Sequence, residues 1–145
     1  MKQYRQAIAD FDKAITIDGH KQIAYVGKGD CLRLMEKYDE AKHFYTIAHN
    51  NKKSNMSLLL RRAICNMELK RYEAAMDDIS KLLDSDPENS EAFYFKGLIF
   101  GKLSKHLSYS GQPNDAIICY EQAIKHNSNK RAVTRAIYEI TKIKI

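Results

Sequence analysis

The chain of 145 residues carries 24 Lys and Arg against 18 Asp and Glu, a net charge of +6, and its 44% apolar content suffices for one domain with a continuous core and excludes a disordered chain. No apolar run approaches the roughly 18 residues that span a bilayer, and the first residues lack the order of a signal peptide, so an intracellular, cytoplasmic protein without membrane insertion is expected. Two prolines and six glycines leave long uninterrupted elements, the apolar residues follow the helical period, and three cysteines cannot close a disulfide framework. An all-α protein with reduced thiols follows.

The expected helices come in a fixed rhythm. The first runs from about Lys2 to Ile17 and reads "QYRQAIADFDKAI"; the next two run from about Gln22 to Met35 and from about Tyr38 to Asn50, the latter reading "EKYDEAKHFYTIA" from residue 36. A second pair follows from about Met56 to Leu69 and from Tyr72 to Asp84, where the chain reads "RYEAAMDDISKLL". Tyr4, Tyr38 and Tyr72 are 34 residues apart, as are Ala7, Ala41 and Ala75, and Phe11, Tyr45 and Ile79. A unit that cannot bury its own face alone must stack on copies of itself, so a fixed period of this length means a repeat architecture. Gly29, Ala63, Ala41 and Ala75 are small where two backbones should approach closely, and Cys31 and Cys65, also 34 apart, are expected as buried small hydrophobes.

The third unit breaks step. Gly29 to Ala41 and Ala63 to Ala75 are both 12 residues, whereas Gly97 to Ala116 is 19. Seven extra residues make about two helical turns, so helix A should run on through "KLSKHL" before "SYSGQP" turns the chain and Pro113 opens helix B. This lengthened hairpin is expected either as a tolerated surface insertion or as a docking finger centred on His106, Leu107 and Tyr109. A last helix from about Lys130 to Lys144, rich in Arg and Lys, should cap the array.

A 34-residue helix-turn-helix with small residues at the eighth and twentieth places and an aromatic at the twenty-fourth resembles the tetratricopeptide repeat. Tyr25, Gly29, Tyr38, Ala41, Tyr45 and Ala48 carry the resemblance in one unit, Tyr72, Ala75 and Pro87 in the next, and Ala92, Phe93, Gly97, Phe100, Ala116, Tyr120 and Ala123 in the third. Leu32 and Asn66 depart from it at the eleventh place. The resemblance implies a right-handed superhelical solenoid of antiparallel helix hairpins, about eight helices in all. Its parts are a half repeat at 1–21, repeats at 22–55 and 56–89, a repeat with the insertion at 90–130, and a capping or partial-repeat helix at 131–145. The opening helix has no helix A of its own, so Tyr4, Ile8, Phe11 and Ile15 should form an exposed face, completed by more repeats or by another subunit of a longer or larger assembly.

In this family the A helices line a concave groove, and the resemblance places Ile23, Val26, Asp30, Leu60, Arg61, Ile64, Met67, Tyr94, Phe95 and Leu98 on it. Relatives that hold the acidic tails of heat-shock chaperones use a clamp of Lys, Asn and Arg at such places, because charged donors must meet two carboxylates. Only Arg61 matches here. The apolar row instead suits an amphipathic helix or an extended apolar peptide, although some of these side chains could simply pack repeat on repeat. Lys28, Arg62 and Lys96, again 34 apart, form a basic ladder that either steers an acidic partner or is a solvated variant of the repeat.

Charge is blocked along the chain: 8 basic against 7 acidic residues over 1–51, 6 against 1 over 52–71, 4 against 8 over 72–120, and 6 against 2 over 121–145. That alternation suits patterned protein surfaces better than a phosphate-tracking stripe, so nucleic acid is not expected as the partner. Catalytic patterns fail. "GLIFGKLS" has the wrong spacing for a phosphate loop and lies inside a helix, and Gly27 with Gly29 reads as helix packing. His20, His43, His49, His106 and His126 have no partners at metal-ligand spacing, so no metal or cofactor is expected. The expectation is a non-catalytic interaction scaffold for an unidentified protein partner; the alternative is an adaptor for nucleic acid or a chaperone acting through the basic patches.

Overall fold

A computed structural model describes residues 2–51, 56–106 and 113–143, and all eight elements among them are α-helices. They fall into two compact units, Met1–Arg71 and Tyr72–Ile145. The first holds α1 (Lys2–Ile17), α2 (Gln22–Leu34), α3 (Tyr38–Asn51) and α4 (Ser57–Glu68); the second holds α5 (Tyr72–Ser85), α6 (Ser90–His106), α7 (Pro113–His126) and α8 (Lys130–Ile143). Each boundary that the sequence set lies within two residues of its expectation, and Pro113 opens α7, where its missing N–H costs nothing.

In the first unit the A-to-B turn is built without glycine. Glu36 sits in the left-handed region at φ 61°. The Lys37 amide donates to the Leu32 carbonyl at 2.9 Å and the Glu36 amide to Arg33 at 3.0 Å, the paired bonds of a Schellman cap. The same construction follows α4, with Lys70 at φ 58°, Arg71 donating to Asn66 and Lys70 to Met67. The repeat thus preserves its turn down to single hydrogen bonds.

Tyr45, Ala41, Ala48, Leu32, Leu58 and Cys65 make the core of this unit, with Ile8, Tyr25, Val26, Tyr38 and Phe44 packed around them. Close approach sets the glycines. A Cβ on Gly29 would stand 2.7 Å from Tyr45 Cε1, and one on Gly27 would stand 2.3 Å from Phe11 Cζ, so α1 seats its phenyl ring directly on the α2 backbone. Cys65 is buried as expected, but Cys31 is only half-buried.

The second unit repeats the design with a longer A helix, α6. Gly97 on α6 meets Tyr120 on α7, where a Cβ would come within 2.5 Å of the ring. Asn89 caps α6 by accepting from the Ala92 amide, and Asn129 caps α8 by accepting from Arg131 and Ala132. The α7–α8 link is pinned back onto the start of α6: the Ser128 hydroxyl accepts from the Ser90 amide at 3.0 Å and reaches the Glu88 carbonyl at 3.2 Å. Ala132 and Ala136 then let α8 lie close on α6 and α7.

Candidate functional site

In the first unit the A-helix face is formed by α2 and α4. Ile23 is 74% exposed, and Val26, Asp30, Arg61 and Ile64 are partly exposed. Leu60 and Met67, expected on the same face, are buried at 9% and 5%. They belong to the packed interior.

Asp30 organises this face. Its Oδ1 accepts from the Tyr45 hydroxyl at 2.8 Å and from the Arg61 guanidinium, which ties α2 to α4. Burial and the Asp30 acceptor push the Tyr45 phenol far above its ordinary range, so it stays a neutral donor. Arg61, the one cation at a clamp-like place, is therefore already paired with a carboxylate and sits beside an acidic residue. An incoming carboxylate would have to compete with Asp30 for it.

The basic ladder is also taken up locally. Lys28 is 17% exposed at its side chain, ion-paired with Asp12 of α1 and held 4.3 Å above the Phe44 ring. Arg62 Nη1 donates to the Thr46 hydroxyl at 3.4 Å. Asp12 and Thr46 each stand 16 residues before their cation, a spacing that the sequence displayed but that ladder counting alone missed.

The N-terminal face is half-buried. Tyr4, Ile8, Phe11 and Ile15 are all intermediate in exposure, no residue of α1 is fully buried, and Ile17 is 86% exposed. Phe11 and Ile8 are held by α2 and the core, which accounts for their partial cover.

In the second unit Tyr94 and Phe95, expected on the partner face, are buried at 7% and 9%, while Leu98 keeps part of its surface. Tyr94 packs on Tyr120 at 6.0 Å between centroids and on Phe95 at 5.2 Å, and its phenol is raised first by burial and then by the nearby Glu139 of α8. Both rings are thus spent on packing within the unit. His106 ends α6, and the rest of the expected finger, Leu107 and Tyr109, lies outside the described residues.

A second concavity, absent from the sequence expectations, lies between α5 and α6. It is an open groove of about 430 Å³ lined by the half-buried Met76, Phe100 and Leu103, by the exposed Glu73, Asp77 and Ser80 of α5 with Tyr72, and by Lys96 of α6. Among the described residues no helix is long and apolar enough to cross a membrane, and no group of three or more His, Cys, Asp or Glu is placed to hold a metal.

Residues 31–137 match the family model of the coatomer epsilon subunit. The Hsp70/Hsp90 co-chaperone CNS1 of Saccharomyces cerevisiae is 27% identical over 106 residues, which are 63% of this chain and 28% of that protein, so the chain spans under a third of that relative's length. The crystal structure of MamA is similar with a TM-score of 0.74 at 17% identity, covering 97% of this chain and 80% of that one. The second tetratricopeptide-repeat domain of human RPAP3, solved by NMR in complex with the HSP70 peptide SGPTIEEVD, is similar with a TM-score of 0.66 at 28% identity, covering 87% and 98%. With a family model matched across most of its length and the same stacked hairpins in these solved domains, the chain belongs to the coatomer epsilon subunit family and has the tetratricopeptide-repeat fold.

Proposed function

We propose that the chain is a non-catalytic protein-interaction module, a subunit of a larger multiprotein assembly, whose A-helix faces take an amphipathic helix or an extended apolar peptide. The observation that carries this reading is the apolar surface left on those faces: Ile23 at 74% exposure, with the half-buried Val26 and Ile64 in the same unit and the half-buried Leu98 on α6. Apolar side chains in such register are what a helix-in-groove partner reads. The half-exposed face of α1 extends the reading, because Tyr4, Ile15 and Ile17 offer further repeats or another subunit a surface to pack on. The test is capture of partners from native extract by the wild-type chain and by Ile23→Glu, Ile64→Glu and Leu98→Glu, all at positions with solvent access. Loss of capture with the helical circular-dichroism signal retained supports the reading; unchanged capture moves the site off the A-helix faces.

A chaperone-tail reading is favoured by the co-chaperone relative and by the HSP70 peptide seated on the RPAP3 domain. The chemistry of this face opposes it. Asp30 holds Arg61, so an acidic tail meets like charge at the one clamp-like cation. Fluorescence anisotropy with labelled SGPTIEEVD separates the two: we expect no saturable binding to the wild type, and tight binding would reverse the order of the readings.

A further inference from the structure

The groove between α5 and α6 and the outer face of α8 are complementary, and we infer that they bind each other between two copies of the chain. The groove is not one of the A-helix partner faces, so this inference stands independently of the partner proposed above. Its floor is apolar, with Met76, Phe100 and Leu103, and Leu103 belongs to the part of α6 that the seven extra residues supply. Its edge carries Glu73 and Asp77, four residues apart on α5, both exposed and neither in an ion pair among the described residues. A volume of about 430 Å³ accommodates one or two large side chains, and the open side admits the helix that bears them.

Helix α8 supplies the matching chemistry. Its inner face, with Ala132 and Ala136, is consumed by α6 and α7. Outward it presents Tyr138 at 60% exposure and Ile137 at 49%, flanked by the exposed Arg131 and Arg135, with Lys142 Nζ 5.3 Å from the Tyr138 ring. Arg131 and Arg135 are four residues apart, the same spacing as Glu73 and Asp77, so two guanidiniums on one helix turn face two carboxylates on another. The wider charge agrees: residues 72–120 carry 4 basic against 8 acidic residues, and residues 121–145 carry 6 against 2. Because α8 is already seated by its inner face, its outer face cannot reach the groove of its own copy. Reciprocal exchange between two copies makes an isologous pair that closes on itself.

Sedimentation velocity of the full chain over a hundredfold concentration range tests the inference. The wild type is expected to dimerise, with an affinity that weakens as salt rises, since the edge pairs are solvent-facing. Tyr138→Ala, which removes the side chain that fills the groove, and Arg131→Glu with Arg135→Glu or Glu73→Lys with Asp77→Lys, which make like charges meet across the contact, should each raise the dimer dissociation constant about tenfold or more. The decisive arm combines the two charge reversals in one chain, which should restore dimerisation toward the wild-type constant. A variant that unfolded would not be rescued in this way. A wild-type monomer at every concentration overturns the inference, as does a dimer that survives the separate reversals or one that the combined reversal fails to recover.

Discussion

Two glycines of α6, four residues apart, let steric cost be separated from helix propensity. Alanine is preferred over glycine inside a helix by about 0.8–1 kcal/mol, whichever of the two positions is changed. At Gly101 an added Cβ meets nothing within 4 Å, so Gly101→Ala should gain close to that full amount. At Gly97 the same methyl would stand 2.5 Å from Tyr120 Cε1, 2.8 Å from Cδ1 and 3.0 Å from Cζ, where carbon contacts ordinarily settle at about 3.5–4 Å. The ring must retreat by roughly 1 Å. It has little room to do so, since Tyr120 is 2% exposed and backed by Tyr94. Overpacking of this kind costs about 1–3 kcal/mol, so Gly97→Ala should be destabilised by up to about 2 kcal/mol after the propensity gain. The propensity term cancels in the difference between the variants, leaving about 1–3 kcal/mol of pure contact, or several degrees of melting temperature for a chain this size. Urea titration followed by far-ultraviolet circular dichroism reads both variants on one scale. Equal stabilities would refute the close approach of α6 and α7 and, with it, the packing logic assigned to Gly29 against Tyr45.

Asn66 is 4% exposed with Oδ1 unbonded, while Leu32 occupies the equivalent place one repeat earlier, so Asn66→Leu should stabilise the chain by about 1–2 kcal/mol in the same titration. Removing the Asp30 carboxylate with Asp30→Ala leaves the Tyr45 hydroxyl buried without its acceptor, at a cost of about 1–3 kcal/mol, and combining it with Tyr45→Phe should cost less than the sum of the two. Glu36→Gly relieves a left-handed residue in a Schellman cap and should be neutral to about 1 kcal/mol stabilising, whereas Glu36→Val should destabilise. Burial pushes the Cys65 and Cys119 thiols from the ordinary 9.0 up to about 11. The neutral thiols therefore contribute their full stability below pH 9 and lose it as pH rises through about 11, and a Cys65→Ala, Cys119→Ala chain should show a shallower loss across that window.

The hairpins were legible because they depend on residues that the period exposes: Tyr45 needs Gly29, Tyr120 needs Gly97, and each aromatic-glycine pair sits at fixed places. Helix ends were legible for the same reason, although the turns after α2 and α4 use Glu36 and Lys70 where a glycine would have announced them. The surface of the A helices was less legible. A repeat position says which way a side chain leaves its helix, and it says nothing of what covers that side chain, so Tyr94 and Phe95 looked the same as Leu98 until α7 and α8 were in place. Asp30 and Arg61 are 31 residues apart, off the 34-residue register, so no column of the repeat paired them. The α5–α6 groove did leave a trace, in the seven extra residues that bring Leu103 alongside Phe100 and in the two carboxylates flanking Met76.

The basic ladder shows how a repeat keeps its geometry while its chemistry changes. Lys28, Arg62 and Lys96 occupy one column, and the residues 16 places before them, Asp12, Thr46 and Ser80, occupy another. The first pair is an ion pair with the lysine largely covered, the second is a long hydrogen bond to a neutral hydroxyl, and in the third Lys96 and Ser80 line the groove together. A cation held by a carboxylate is neutralised in place and adds only modest stability at a surface, whereas Lys96, beside the Ser80 hydroxyl, brings its charge to the groove. Replacing Ser80 by Asp should therefore rebuild the first pair in the third unit, drawing Lys96 across the groove. If the groove receives α8 of a second copy, that one substitution adds a carboxylate beside Asp77 and neutralises the groove's lysine, so the basic face of α8 should dimerise more tightly, and an unaltered dimer would mean that Ser80 and Lys96 stand clear of the contact.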